Sequence, residues 1–224
     1  DLGTGGVRAA AVHASGRVHA EGRADLSGGA LSQGDRHEQD PEQWWTATRR
    51  AIARMLDALG RSGSNDTHIV AASVDGTSGT ILCVDADGQS LGPAIMYNDG
   101  RAQEQAARLA ELSGEPIAPS WAIARVQWLA ENDPDRYERA RWILHQADYI
   151  TSRLTLDFGR SDYSNALKMG YDIQSLAWPD WVQAMPGARH RLPDVVAPAE
   201  PIGQIDANVA NELGLPSNLQ LFAG

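Results

Sequence analysis

Three short stretches of this sequence combine small residues with polar side chains in patterns that suit phosphate and polyol chemistry. The first is Asp1-Leu2-Gly3-Thr4-Gly5-Gly6-Val7-Arg8, an acid followed by a hydroxyl-bearing turn and a strand-like run. Glycines let a backbone bend until its N–H groups surround phosphate oxygens, a threonine adds a donor, and an aspartate can hold Mg²⁺, usually through water. The plainer meaning of such a turn is a hairpin, and it is the commoner one. The Walker pattern is absent, and Lys168, the only lysine, lies far along the chain, which argues against a P-loop enzyme.

The second stretch, Asp75-Gly76-Thr77-Ser78-Gly79, is small and polar, so a ligand could approach its backbone closely. The third is Pro93 to Arg101. Asn98 and Asp99 offer amide and carboxylate groups and Arg101 a planar fork, the donors and acceptors that a polyhydroxylated substrate requires. Composition favours the alternative that Asn98, Asp99 and Gly100 form a turn and cap the helix after it, and both readings can hold together.

Periodicity and turn residues place these stretches between regular elements. Val7 to Val12 and Arg17 to Glu21, joined through Ala14-Ser15-Gly16, predict a hairpin. Asp25 to Gln39, rich in Gly, Ser and charge, predicts a surface loop. Asp40 as N-cap, Pro41 at the first helical position, and Trp44, Trp45, Ala51, Ile52, Met55, Leu56 and Leu59 at helical spacing predict a helix ending at Gly60. His68 to Val74 and Thr80 to Val84 predict buried strands, with Asp85-Ala86-Asp87-Gly88 turning the chain afterwards. Helices are expected over Arg101 to Leu112, Trp121 to Glu131 and Asp135 to Arg153, and over Ala207 to Leu213 before Gly214. Strands, then a helix, then strands separated by helices suggest an α/β domain with a mixed sheet. No internal repeat or low-complexity tract is visible.

Composition narrows the classes. With 224 residues, 42% of them hydrophobic, the chain can bury a sizeable core in one large domain or two small ones. A net charge of −10 disfavours nucleic acid and anionic membrane as partners and leaves a small metabolite open. Cys83 is the single cysteine, so no intrachain disulfide or thiolate cluster forms, and a cytoplasmic setting is the default. No run nears the roughly 18 apolar residues a membrane span needs, and no leader pattern opens the chain. The strand-like pattern begins on Asp1 without Met, which predicts that residues precede it. The histidines at 13, 19, 37, 68, 145 and 190 show no metal-ligand spacing, and most are expected at the surface. Of the seven tryptophans, Trp44, Trp45, Trp128 and Trp142 read as core rather than sugar-stacking residues, with Trp121 and Trp178 undecided. Asp162 and Asn165 read as turn-stabilising.

Asp1 to Arg8 resembles the first phosphate motif of the actin–hexokinase–heat-shock ATPase superfamily. The remainder of the chain, along almost its whole length and in the same order, resembles the FGGY carbohydrate kinases. The similar stretches are Gln39 to Trp45, Asp75 to Val84, Pro93 to Ala102, Trp142 to Leu154, Ser161 to Ala166, Pro201-Ile202-Gly203 and Leu213-Gly214-Leu215-Pro216. The loops Asp75 to Thr80 and Tyr97 to Arg101 look more like the ribulokinase-like branch than the xylulokinases, which carry bulkier residues in the first of them.

The resemblance implies a ribonuclease-H-like α/β fold, a mixed sheet flanked by helices. It makes residues 1–224 the N-terminal, sugar-binding domain, with a C-terminal nucleotide-binding domain absent from this chain. It implies ATP and Mg²⁺ as cofactors, a ketopentose of the D-ribulose or D-xylulose type as substrate, and it allows a homodimer. Asp1 would lie at the Mg²⁺–phosphate end of the cleft, with Gly3, Thr4 and Gly5 near the transferred phosphoryl group. Ser78 and Gly79 would meet the sugar, and Asp99 and Arg101 would help shape its pocket. The family's general base, an aspartate, would fall just beyond Gly224, so the fragment alone is expected to be nearly inactive. The alternative is a stand-alone sugar-binding or regulatory module. A superfamily relative such as an acetate kinase or chaperone ATPase would share the Asp1 turn but leave the Asp75 and Tyr97 loops unexplained.

Overall fold

The computed structural model describes residues 1–28, 31–61 and 68–224. Its first layer is a hairpin carrying a helix on one face. In β1 (Gly6–Val12) and β2 (Val18–Asp25), Val7, Ala20 and Ala24 are buried while Arg8, Arg23 and Asp25 are exposed, the two-residue period of a sheet wetted on one side. The second strand runs four residues past the predicted Glu21. Gly22 lets it do so under the helix, since a Cβ there would collide with Ala51 O and Met55 N.

The expected loop from Asp25 to Gln39 is corrected to a second hairpin, β3 (Leu31–Gln33) and β4 (Arg36–Gln39), turning at Gly34, whose φ is +61°. Every residue of β3 is exposed, so it carries no hydrophobic alternation for a sequence reading to detect. Residues 29 and 30 of that stretch lie outside the described residues. α1 (Pro41–Arg61) agrees with prediction: Asp40 Oδ1 accepts from Glu42 N at 3.0 Å, and Trp44, Trp45, Thr48, Ala51, Met55 and Leu59 are buried along one stripe.

Of the two strands predicted as buried, only one is. β5 (Ala71–Ser73) is largely exposed and preceded by Val70 at 71% exposure, because among the described residues it pairs along one side only, with β12 (Gln220–Phe222). β6 (Ile81–Val84) is buried at every residue and is followed by the expected turn, with Gly88 at φ +76°. β7 (Ala94–Ile95), α2 (Gln103–Ser113) and α3 (Ala122–Asn132) come next.

The helix expected over Asp135 to Arg153 is corrected to three elements, α4 (Pro134–Arg139), β8 (Trp142–His145) and α5 (Gln146–Thr155). Trp142-Ile143-Leu144-His145 pairs antiparallel with β6, and that tertiary partner overrides the helical propensity of its flanks. The chain closes with β9 (Arg160–Asp162), α6 (Tyr163–Leu167), α7 (Asp180–Gln183), a 3₁₀ turn (Ala188–His190), β10 (Asp194–Val196), β11 (Pro201–Gln204), α8 (Ala207–Leu213) and β12 (Gln220–Phe222). α8 ends as predicted, at Gly214 with φ +70°.

Five antiparallel strands in the order β3-β4-β7-β6-β8 form the largest sheet described. Leu82, Val84 and Leu144 pack into a core with α1, α5 and α8, while Ile81, Cys83 and Ile143 face a second core with α2 and α3. Both faces of β6 and β8 are therefore covered, which is why these strands read as unbroken apolar runs. A three-stranded sheet, β11-β12-β5, has an antiparallel and a parallel pairing, and β9 and β10 form a parallel pair. Leu2 ties the first hairpin to the rest, bridging Val7 antiparallel and Gly76 parallel.

Candidate active site

The opening turn is held by backbone. Arg8 N donates to Asp1 O at 2.9 Å, Gly3 N to Gly6 O at 2.9 Å and Leu26 N to Gly5 O at 3.0 Å. From the far side Gln39 Nε2 donates to Thr4 O at 2.8 Å, and Trp44 Nε1 donates to Gln39 Oε1 at 2.8 Å, so the start of α1 steadies the turn. A shallow cavity of about 310 Å³ opens here, lined by Asp1, Gly3, Gly5, Arg8, Arg23 and Asp25 among others. A Cβ at Gly5 would meet nothing within 4 Å, which leaves that backbone open to a ligand.

The Asp75 loop abuts this turn. Leu2 N donates to Asp75 O at 2.8 Å, and Thr77 Oγ1 to Leu2 O at 3.4 Å. The structure thus joins the opening turn, through Leu2, to Asp75, Gly76 and Thr77 of the loop that carries Ser78 and Gly79. The loop's inner side is secured by residues distant in sequence. Gln146 Oε1 accepts from Thr77 N at 3.1 Å, His145 Nδ1 from Gly79 N at 3.4 Å, and Thr80 Oγ1 from Tyr97 N at 3.1 Å. Arg125 Nη2 donates to Gly79 O at 2.5 Å and Lys168 Nζ to Ser78 O at 3.4 Å. Gly79 has φ +91°, a conformation that side chains rarely adopt. The half-buried Ser78 keeps its hydroxyl free of any hydrogen bond among the described residues, whereas both backbone groups of Gly79 are engaged.

Asp99 and Arg101 stand in a locked pair. The Asp99 carboxylate, fully buried, accepts from His37 N, Arg101 N, Arg101 Nε and Arg101 Nη2 at 2.7 to 3.1 Å. Arg101 also bonds Glu38 at 2.7 Å and lies 4.8 Å over the Trp128 ring, a cation–π contact. Burial opposes ionisation of Asp99, but the Arg101 and His37 hydrogen bonds outweigh it and hold the carboxyl below its ordinary pKa. Asp99 closes a turn, with its N–H on Met96 O, yet the N-cap of α2 is Ala102 without a side-chain bond, so the capping half of the plainer reading does not hold. The exposed Asn98 side chain makes no hydrogen bond among the described residues. β4 connects the two parts of the site, since His37 meets Asp99 and Gln39 meets Thr4.

Behind the loop sits a buried polar group. Asp148 accepts from His145 N at 3.0 Å, Ser161 Oγ at 2.9 Å and Asn165 Nδ2 at 3.2 Å. Burial, and then the neighbouring Asp162 charge, push its pKa up to about 7. Burial, reinforced by the Arg125 charge, holds His145 down to about 3, so it is neutral. His145, 1% exposed, is the exception among the histidines; His19 and His37 are partly buried, and His13, His68 and His190 are exposed. Asp162 caps α6 through Asn165 N at 3.0 Å, in line with the turn-stabilising reading. Trp44 and Trp45 are core, and Trp128, Trp142, Trp121 and Trp178 are half-buried against core residues.

Gln39, Arg125, His145 and Gln146 escape a sequence reading of the site. Their only signal is a polar residue at a position that periodicity assigns to the interior, which says nothing about which loop it reaches.

Asp1 suits Mg²⁺ as a single carboxylate ligand. Its side chain is 51% exposed and among the described residues bonds only Arg8, at 3.2 Å. Among the described residues no three His, Cys, Asp or Glu side chains group as a metal site, and Mg²⁺ characteristically takes one or two carboxylates, completing its shell with water and phosphate oxygens.

The model of the FGGY family of carbohydrate kinases, N-terminal domain, matches residues 1–224. The xylulose kinase of Escherichia coli K12 is 30% identical over 226 residues, 96% of this chain and 45% of that protein. The xylulose kinase of Streptomyces coelicolor is 30% identical over 91% of this chain and 42% of its own length. The crystal structure of xylulose kinase from Rhodospirillum rubrum superposes with a TM-score of 0.88 at 24% identity, over 99% of this chain and 47% of that one. The chain therefore spans about half the length of the relatives it matches, and it shares their fold. Matched to the family's N-terminal domain from its first residue to its last, this chain belongs to the FGGY family of carbohydrate kinases.

Proposed function

We propose that this chain is the sugar-binding half of an ATP-dependent carbohydrate kinase that phosphorylates a ketopentose, D-ribulose or D-xylulose in type. The observation that carries the reading is the direct backbone contact between the opening turn and the Asp75 loop, Leu2 N on Asp75 O. It ties the phosphate-type turn to the loop that carries Ser78, whose half-buried hydroxyl has no hydrogen bond among the described residues.

In this reading Ser78 Oγ bonds a sugar hydroxyl, and Gly79 contributes space, its own polar groups being turned inward. Asp99 and Arg101 act as a rigid wall, because their hydrogen bonds are spent on each other, Glu38 and His37. The turn Gly3-Thr4-Gly5 offers the Thr4 and Gly5 N–H groups and the Thr4 hydroxyl to the phosphoryl group in transit, the Gly3 N–H being bonded to Gly6 O. Mg²⁺ would supply charge neutralisation at the phosphates, with Asp1 as its protein ligand. Deprotonation of the attacking hydroxyl is assigned to an aspartate beyond Gly224, and most nucleotide contacts to a C-terminal domain, so the fragment alone turns over little. The small Ser78-Gly79 pair fits the ribulokinase-like loop, whereas the named relatives are xylulose kinases, and the proposal therefore spans both sugars.

The test is ADP release by the whole kinase carrying this chain, with MgATP and each of D-ribulose, D-xylulose, L-ribulose and glycerol. Sugar-dependent ADP with a ketopentose is the expected result, and no ADP with any of the four would refute the reading.

A further inference from the structure

Burying a cation with no carboxylate against it is costly, and such a cation persists where its hydrogen bonds are worth more than the penalty. Arg125 is in that position. It is 0% exposed, and among the described residues no carboxylate lies within ion-pair distance of it. Burial lowers its pKa to about 10, which leaves it charged at neutral pH.

Its two terminal nitrogens donate to main-chain carbonyls on two separate loops, while Nε is buried without a partner among the described residues. Nη2 reaches Gly79 O at 2.5 Å and Ser120 O at 3.0 Å, and Nη1 reaches Pro119 O at 3.1 Å. The first loop carries Ser78. The second ends at Trp121, the half-buried N-cap of α3. The fit is close around Gly79: a Cβ there would lie 3.2 Å from Ser120 O, 3.3 Å from Lys168 Cδ and 3.5 Å from Arg125 Nη2. A guanidinium presents several donors in a fixed plane and can hold two backbones in one register, which a single ammonium cannot do.

We propose that Arg125 is a positioning residue for sugar recognition, clamping the Gly79 carbonyl to the Pro119-Ser120 backbone and so fixing where the Ser78 hydroxyl stands. The inference rests on the reading of Ser78 as a sugar contact. It adds that the precision of that contact, and with it the discrimination between ketopentose epimers, is set by a side chain that never touches the sugar.

The experiment compares the whole kinase with Arg125→Lys and Arg125→Met, measuring kcat, the KM for D-ribulose and D-xylulose, and the KM for MgATP. Arg125→Lys keeps the charge and loses the fork. It should raise the KM of the preferred sugar about fivefold or more and bring the two sugars' kcat/KM values closer together, with the KM for MgATP within about twofold of wild type. Arg125→Met should go further in the same direction. A purely structural role would lower the active fraction, and so kcat, while leaving sugar KM and the sugar preference unchanged. That result in Arg125→Lys would overturn the clamp whether or not Arg125→Met folds. A wild-type kinase that turns over none of these sugars would instead remove the reading beneath it, and the clamp with it.

Discussion

Asp148 should contribute to stability with a pH dependence opposite in sense to ordinary acid denaturation, and substituting it by asparagine should remove that contribution. In the folded state burial and the Asp162 charge hold the Asp148 pKa at about 7, against about 4 for an aspartate in the unfolded chain. A carboxyl whose folded pKa is raised contributes stability that is complete below the unfolded value and is lost as pH rises through the folded one. The loss runs at about 1.4 kcal/mol per pH unit, so between about pH 5 and about pH 6.5 wild type should lose about 2 kcal/mol relative to Asp148→Asn.

His145 works against it. Its folded pKa is about 3, against about 6.5 unfolded, so its contribution is present above the unfolded value and lost as pH falls through that interval. The two slopes cancel between about pH 4 and about pH 6.5, and their sum in wild type is nearly flat. His145→Asn, which keeps an acceptor for Gly79 N, should therefore give a chain whose stability falls with rising pH, and Asp148→Asn one whose stability rises. The assay is urea unfolding of the three proteins at several pH values, read as differences from wild type so that other titrating groups drop out. Asp148→Asn and wild-type profiles that run parallel across this range would refute the assignment of a protonated Asp148 beneath the Asp75 loop.

Asp99→Asn should cost about 3 kcal/mol in urea unfolding, because it leaves the buried Arg101 short of its main counter-ion; a cost below about 1 kcal/mol would mean that Glu38 alone suffices. Gly22→Ala should lower stability by about 3 kcal/mol, since the new Cβ runs into the backbone of α1 rather than a movable side chain, and a thermal melt within error of wild type would contradict this. In the whole kinase Ser78→Ala should raise the sugar KM about tenfold, as loss of one hydrogen bond implies, with the KM for MgATP unchanged.

How much could be read in advance varied with how local the cause was. α1 was legible because Asp40, Pro41 and the apolar stripe from Trp44 to Leu59 all act within one helix. β6 was legible because both its faces meet a core, giving an unbroken apolar run. β3 and β4 were not, since β3 is exposed throughout and leaves no pattern, and β4 is fixed by its pairing with β7, far along the chain. β8 was missed because Trp142 to His145 becomes a strand only by pairing with β6, some sixty residues away. The site divides in the same way. Asp1, Gly3, Thr4, Gly5, Ser78 and Gly79 stood out as small and polar residues, and the fold joins their two stretches through Leu2.

By itself the sequence determined which backbone stretches could come close to a ligand, because glycine and short polar side chains act on their own φ, ψ and surface. Tertiary structure alone decided what those stretches rest on. Arg125, His145 and Gln146 belong, along the chain, to a helix and to the junction of a strand with a helix, and their burial against the Asp75 loop comes from the packing of distant elements. A buried polar group must find partners wherever the fold brings them, and that pairing is a property of three-dimensional neighbours which no local pattern encodes.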